Sequence, residues 1–313
     1  MRVRWLFVLG MLLGACPIAC GGAASEERVA TPAVEAPKPK PRNASEIAQR
    51  IAGGKIDVLV YLERVRGNPI APKLAALDAL GPVLEGTGID PQKDIDRAYV
   101  TSAGVKHAET AVVVAEHALA EQRVRAAVEV LIGRSRPPGA WLDDVGVPAA
   151  RVTIKNETRV VALVEPNLLV ILPEAHAREA MLFRGSGGLP EPTGPEAVVA
   201  TAIDPAHTLQ ARHVPPIPET IQRARATLTL APDGGADLSA DAVDATPEQA
   251  QSDAATMTAE VERATTVSIS IVKVRFIDPI AFRAEADHVK SDRHLTPQEI
   301  DRILGLVTAV VPR

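Results

Sequence analysis

Histidine and aspartate are the residues of this chain whose side chains could bind a metal ion or move protons. The densest group is formed by Asp204, His207 and His213, which stand beside prolines in a stretch without hydrophobic periodicity. Zinc sites built on one helix use the spacing His-Glu-x-x-His, and no pair of histidines here has it. We interpret the group as solvated surface, and no metal ligand is predicted. The seven histidines are His107, His117, His176, His207, His213, His288 and His294.

Other polar clusters also lack the pattern of a binding site. Asp90, Asp94 and Asp96 lack the glycine and the distal glutamate of a calcium-binding loop, so we expect them to cap a turn and to flank a strand. A second polar strip, near the end of the chain, is typical of an exposed strand. Its members are Glu285, Asp287, His288, Lys290 and His294.

Serine nucleophiles have equally weak support. Ser186 stands among glycines, does not match the strand-to-helix elbow of hydrolases, and is expected to lie in a hinge. Ser270 and Lys273 have the spacing Ser-x-x-Lys, but the partner motifs of that enzyme class are absent. The sequence therefore predicts no catalytic residue and no cofactor, and the chain is expected not to be an enzyme. A hydrolase assembled from scattered residues, such as Ser186 or His213, stays open as an alternative.

The two cysteines, Cys16 and Cys20, stand close together near the start of the chain. They follow Arg2, Arg4 and a short apolar run, 5–13, which is the plan of a secretory signal. That run is far shorter than the roughly 20 residues that a helix needs to cross a bilayer. The rest of the chain has no cysteine, so an exported body must be stabilised by its own core without disulfides.

The residues before the first cysteine, Leu13-Gly14-Ala15-Cys16, resemble the lipobox of bacterial lipoproteins. The resemblance implies that the thiol of Cys16 receives diacylglycerol, that cleavage occurs just before it, and that the new amino group is acylated. Cys20 is the alternative acceptor: Pro17 departs from the lipobox, but lipidation of Cys20 would leave no spare thiol. An ordinary cleaved signal with two unmodified cysteines also stays open.

Several acyl chains on one cysteine would hold the protein at a membrane, because each buried methylene contributes about 0.8 kcal/mol. No aspartate follows either cysteine, which in lipoproteins favours the outer membrane. We therefore expect the protein in the cell envelope, lipid-anchored and facing the periplasm.

Composition argues against a nucleic-acid partner. Loss of Arg2 and Arg4 with the signal leaves 32 of the 34 basic residues against 39 acidic residues, a formal net charge of −7. No basic stripe is present, and aromatic residues, at 3% of the chain, are too few to form a base-stacking platform.

Composition shifts divide the chain into segments. We expect a signal peptide with lipobox over 1–20, a disordered proline-rich tether over 21–43, a first lobe over 44–184, a linker over 185–195 and a second lobe over 196–313. Both lobes are predicted to run strand, helix, two strands, helix, then more strand and helix. That is the order of a split βαβ (ferredoxin-like) unit, so the predicted class is α+β with two similar antiparallel-sheet lobes.

Local signals place individual elements. Helix starts are predicted at Asn43 and at the capping boxes that begin with Thr246 and Thr296. A further helix is predicted over 118–132. The β-branched stretch 266–276 is predicted as a strand, with a helix as the alternative.

The whole arrangement resembles exported lipoproteins of high-GC Gram-negative bacteria. The resemblance rests on the lipobox, the proline-rich tether and the stretch Gly88-Ile89-Asp90-Pro91 before a strand, and the group brings no assigned activity. We expect a membrane-anchored periplasmic lipoprotein that acts as a non-catalytic binding or scaffolding module of the cell envelope, with a protein partner there. A carrier of an apolar ligand between the two lobes is the alternative that the aliphatic composition suggests.

Overall fold

The structure is a computed structural model, and it describes residues 43–72, 84–154, 156–164, 166–211, 215–269, 272–275 and 277–310. The predicted signal and nearly all of the predicted tether, with Cys16 and Cys20, lie outside the described residues. His213 and Ser270 also lie outside them.

A twelve-stranded antiparallel sheet organises the described part of the chain. Its strands, in chain order, are β1 Ile56–Tyr61, β2 Ile95–Ser102, β3 Val112–His117, β4 Ala140–Leu142, β5 Ala149–Ile154, β6 Glu157–Val164, β7 Leu168–Pro173, β8 Val198–Ile203, β9 Arg223–Leu230, β10 Ala236–Val243, β13 Arg283–Glu285 and β14 His288–Leu295. The intervening β11 Thr266–Ile269 and β12 Val272–Arg275 pair as a separate two-stranded sheet, so the described residues of the stretch 266–276 are strand and the alternative of a helix is wrong for them.

The helices lie before, between and after these strands. They are α1 Ala44–Ala52, α2 Leu62–Val65, α3 Pro91–Asp94, α4 Glu121–Arg134, α5 Pro205–Thr208, α6 Pro247–Ala264 and α7 Pro297–Val310, with 3-10 segments at Ala108–Thr110 and Glu174–Phe183. No helix among the described residues is long and apolar enough to cross a membrane.

The predicted helix starts are confirmed where side-chain caps determine them. Asn43 Oδ1 accepts the N–H of Glu46 at 2.9 Å, and α1 ends at Gly53, whose φ of 58° is the left-handed conformation of a C-cap. Thr246 Oγ1 accepts the N–H of Gln249 at 3.2 Å at the start of α6.

The sheet consists of two halves with the same strand order. From the centre outward the first half runs β1-β2-β3-β7-β6-β5-β4, and the second half runs β8-β9-β10-β14-β13, so the order matches over five strands and the first half adds β5 and β4 at its edge. In each half a three-strand meander is followed by a helix, α4 or α6, and the last strand then pairs with the third strand of the meander. The first strands of the two halves, β1 and β8, pair antiparallel and join the halves into one sheet. We call this β1–β8 pair the seam.

The predicted α+β class with antiparallel strands is confirmed, but the split βαβ order is not the order observed. β1 pairs directly and antiparallel with β2, from Ile56–Ser102 to Tyr61–Arg97. A split βαβ unit would instead place another strand between two parallel strands. The element order along the chain is shared by both arrangements, so it does not determine which strands become neighbours.

The two faces of the sheet follow from the alternation of side chains along each strand. We call the side of Leu59 and Tyr61 the front face and the side of Val58 and Ala200 the back face. On the front, α1 and Glu174–Phe183 cover the first half and enclose a core that includes Leu59, Tyr99, Val114, Val160, Leu172 and Phe183. On the back, α4 packs on the first half, while α6 and α7 pack on the second half.

Candidate functional site

The front face of the second half has no covering helix among the described residues, and we call it the open face. It is lined by Thr201, Arg223, Arg225, Thr227, Thr229, Asp237, Ser239, Asp241, Val243, Arg283, Glu285, His288, Lys290, Asp292 and His294. Strand β10 shows how the sequence produces it: Ala236, Leu238, Ala240 and Ala242 are buried on the back, and the residues between them are exposed or half-buried on the front.

Two histidine–aspartate pairs link β10 to β14 across this face. His294 Nδ1 lies 2.7 Å from Asp237 Oδ1, and these residues are direct cross-strand neighbours. His288 Nδ1 lies 2.6 Å from Asp241 Oδ1 on a diagonal. The histidines therefore have carboxylate partners within the sheet, and neither pair includes the third ligand that a zinc site needs.

A second network links β13 to β14 and β10. Arg283 donates to Asp292 Oδ2 at 2.7 Å and to Glu285 Oε1 at 3.0 Å, while Lys290 Nζ donates to Glu285 Oε2 at 2.6 Å. Ser239 Oγ donates to Asp292 Oδ1 at 2.7 Å. The Lys290 ammonium and the Arg283 guanidinium lower the pKa of Glu285, and Arg283 lowers that of Asp292.

Arg223 and Arg225 differ from the other charged groups of the open face. Both are exposed, and within the described part of the chain neither guanidinium has a hydrogen-bonding or ionic partner. Both belong to β9, two residues apart, so their side chains emerge on the same side about 6.6–6.8 Å from each other. Arg225 lies between Thr201 of β8 and Asp241 of β10 in the cross-strand register. The open face therefore carries, on the strand next to β8 of the seam, two cations without an ionic partner among the described residues.

The open face meets the covered half at a half-buried carboxylate, Asp57 of β1. Its Oδ1 accepts from the hydroxyl of Tyr99 at 2.6 Å, and its Oδ2 accepts from Gln49 Nε2 at 2.9 Å and from Thr201 Oγ1 at 3.2 Å. Burial, and then the negative charge of Asp57, raises the pKa of Tyr99, so the phenol stays a hydrogen-bond donor. Asp57 thus ties α1, β2 and β8 together at the seam.

The aspartates and histidines singled out in the sequence cap turns or pair with a neighbouring side chain. Asp90 Oδ1 caps α3 by accepting the N–H of Gln92 at 3.0 Å, and Asp96 pairs with Arg66 at 2.9 Å, so the predicted turn cap is confirmed. His207 Nδ1 lies 2.7 Å from Asp204 Oδ1, and that hydrogen bond raises the pKa of the exposed His207 ring. Among the described residues no three His, Cys, Asp or Glu side chains are placed to hold a metal ion.

The polar strip near the end of the chain, by contrast, belongs to the open face. Glu285 lies on β13, Asp287 lies in the turn that follows, and His288, Lys290 and His294 lie on β14, so the strip is a hairpin and the prediction of one exposed strand is wrong. Sequence reasoning missed Arg223, Arg225 and Asp57. Arg223-Ala224-Arg225-Ala226 does alternate charged and small apolar residues, which is the sequence signal of a one-sided strand.

An apolar cavity of about 30 Å³ lies behind the first half, between the sheet and α4. Its lining includes Ile95, Val113, Leu169, Ile171 and His117. Burial lowers the pKa of His117, which favours its neutral ring. Ligand pockets measure about 300–1,000 Å³. This cavity is an order of magnitude smaller, and it lies away from the seam at which a carrier between two lobes would bind.

The chain matches no family model, and no curated protein or solved structure was found to be similar to it.

Proposed function

We propose that this protein is a lipid-anchored, non-catalytic binding module of the cell envelope, which docks a protein partner on its open face. The observation that carries the proposal is the difference in cover between two halves with the same strand order: helices enclose both faces of the first half, whereas the second half presents a charged front. The proposed anchor is the lipid on Cys16, with Cys20 as the alternative, on the periplasmic side of the outer membrane.

The size of the open face suits a modest protein contact. Five strands about 4.8 Å apart, each residue rising about 3.3 Å, give an area of roughly 20 Å by 25 Å. That is on the order of 500 Å², below the roughly 800 Å² that each partner buries in a standard interface. We therefore expect a transient complex, or one to which neighbouring surface also contributes.

The charges of the face favour a protein with acidic side chains over a uniformly anionic surface. Asp237, Asp241 and Asp292 interleave with the cations and would repel a polyphosphate or an anionic bilayer. Among the described residues, Arg223 and Arg225 are the cations of the face that have no ionic partner. A partner segment in extended conformation carries carboxylates on one side every second residue, at the same spacing as these two guanidinium groups. Because the spacings agree, each arginine could contact one carboxylate of the segment through paired hydrogen bonds.

A synthetic peptide of alternating Glu and Thr tests this docking mode on the full-length lipidated chain in detergent. Titration calorimetry at low salt should detect weak binding, which Arg223→Glu with Arg225→Glu weakens about tenfold. That estimate follows because exposed ion pairs contribute about 0.2–1 kcal/mol each and tenfold corresponds to about 1.4 kcal/mol. Arg184→Glu is the matched control, since Arg184 is an exposed arginine of the covered half.

Equal weakening by the control, or no measurable peptide binding, would count against the open face as the docking site. Tighter binding to phosphatidylglycerol vesicles than to the peptide would instead assign the face to an anionic membrane, and the protein-docking proposal would fail.

The anchor has its own test. The intact mass of the mature chain should exceed the mass of the polypeptide from Cys16 onward by a diacylglycerol and an acyl chain, whereas globomycin, which blocks the cleavage, should leave a lipid-bearing chain that still begins at Met1. Cys16→Ser should leave the chain without lipid if Cys16 is the acceptor, whereas Cys20→Ser should not. A mature chain that still begins at Met1 and carries no lipid would refute the anchor without bearing on the open face.

A further inference from the structure

A pair of buried carboxyl groups lies at the corner where β10 ends and α6 begins. Asp244, the residue after β10, is 2% exposed, and Asp253, in the second turn of α6, is 8% exposed. Asp244 Oδ1 accepts the N–H of Ala245 at 3.0 Å. Asp244 Oδ2 is buried, finds no hydrogen-bond donor among the described residues, and faces the carboxyl of Asp253.

None of the hydrogen bonds that the described residues make to this pair comes from a cation. From the segment before β9, the Thr220 hydroxyl donates to Asp253 Oδ2, and from the β13–β14 turn, the carbonyl of Asp287 accepts the N–H of Asp244. The Asp287 carboxylate is directed to His288, 3.9 Å away, and His288 Nδ1 is bonded to Asp241. Within α6 the acid closest in sequence to Asp253 is Glu248 of the first turn, whose carboxylate is hydrogen-bonded to Thr246 at the helix cap.

Two buried carboxylates without a cation cannot both be ionised at low cost. Burial first, and then the hydrogen bond that protonated Asp244 can make with Asp253, raise the pKa of Asp244 to about 7. Ionised, neither group has a proton to donate, and Asp244 Oδ2 is left unsatisfied. A proton on either group supplies the missing hydrogen bond.

We propose that Asp244 and Asp253 share one proton, and that this proton fastens α6 to the end of β10 as a pH-sensitive clamp. The clamp holds in acidic to neutral solution and loosens in alkaline solution, when two negative charges face each other in the same buried space. α6 covers the back of the second half by packing Ala254 and Met257 on Ala242 and Val289. Loosening therefore acts first on the second half, whether or not the open face docks a partner.

Because the pKa of Asp244 is raised in the folded protein, the pair stabilises the fold at low pH and not at high pH. The native state binds one more proton than the unfolded chain between the ordinary aspartate pKa of 3.8 and about 7. The contribution of the pair to stability is thus complete below about pH 3.8 and is lost as the pH rises through about 7.

Asp244→Asn is the informative variant, because the amide that it introduces can donate to Asp253 at every pH. Between pH 5 and pH 8 we expect the Tm of the wild-type chain to fall by roughly 4–8 °C more than that of Asp244→Asn. Asp253→Asn should flatten the pH profile in the same way, and it replaces the first variant if that one does not fold. Asp143→Asn removes an exposed carboxylate and should keep the wild-type profile.

Two further measurements report on the proton and on the helix. Infrared difference spectra at pH 6 should show a protonated carboxylic acid that Asp244→Asn lacks, and amide hydrogen exchange within 250–257 should accelerate on going from pH 6 to pH 8 by more than the intrinsic rate does. Parallel Tm profiles of wild type and Asp244→Asn, or no protonated carboxyl band, would overturn the clamp.

Discussion

The two halves of the sheet share a strand order and differ in what lies on their front. In the first half the residues from Arg159 to Val164 of β6 are all buried, as in a strand enclosed on both faces. In the second half β10 alternates buried alanine or leucine with exposed or half-buried residues, of which Asp237, Ser239 and Asp241 are polar. Strand order therefore does not determine which faces are enclosed; the side-chain pattern of each strand does.

The difference extends to what stabilises each half. The first half has an apolar front core to which α1 and Glu174–Phe183 contribute. The second half has apolar packing on the back, and on its front the strands are linked by ion pairs in contact with solvent, each of which contributes little to stability. Substitutions on a surface of this kind cost little folding stability, which suits a binding role.

Two side-chain truncations to alanine, one in each half, give the largest expected difference in stability between the covered front and the open face. Leu172 is fully buried in the front core of the first half, so Leu172→Ala should lower the free energy of unfolding by about 2–5 kcal/mol. Thr229, on the open face, should tolerate Thr229→Ala within about 0.5 kcal/mol. Urea denaturation of both variants measures the difference, and similar losses would mean that the open face is enclosed in the folded protein.

A smaller loss of stability is expected from a change at Glu299, a buried acid of the second half that accepts several hydrogen bonds. Glu299 of α7 accepts from the N–H groups of Thr296 and Asp278 at 2.9 and 3.0 Å and from Arg293 at 2.8 Å. Burial raises the pKa of Glu299, but these hydrogen bonds outweigh it and lower the pKa to about 2. Its stabilising effect is present above the ordinary pKa of 4.5 and is lost as the pH falls towards 2.

Glu299→Gln should therefore cost about 2 kcal/mol at pH 7, because fixed backbone donors lose their charged acceptor. The difference between variant and wild type should shrink as the pH is lowered towards 2. Equilibrium unfolding in urea across that range measures it, and a difference that does not vary with pH would show that the charge of Glu299 is not the stabilising element.

The smallest of the three effects concerns the seam. Asp57→Asn keeps the shape of the side chain, and the Tyr99, Gln49 and Thr201 donors can rotate to suit an amide, so we expect a loss of about 1 kcal/mol. Thermal unfolding should remain a single transition. Two separate transitions in the variant would show that the two halves depend on this carboxylate to unfold together.

Features set by short-range chemistry were predictable from the sequence. The caps at Asn43 and Thr246 need only a side chain three residues before a free N–H, and β14 was visible as a polar strip. The strand order was not predictable, because it depends on long-range pairing that different topologies can share. The environment of Asp57 is not visible for the same reason: Thr201, which donates to it, lies 144 positions away along the chain.

The seam also determines whether the two halves separate after a protease cuts the connection between them. The connection between the halves includes exposed residues, such as Glu191 and Thr193, and stretches of this composition are common sites of proteolytic nicking. A cut there would not free the second half, because β1 and β8 remain paired from Ile56–Ala202 to Val60–Val198. Their back-face side chains also share one core, to which Val58 and Ala200 belong. A nicked molecule should therefore remain a two-chain complex, and its second half should stay wherever the first is held.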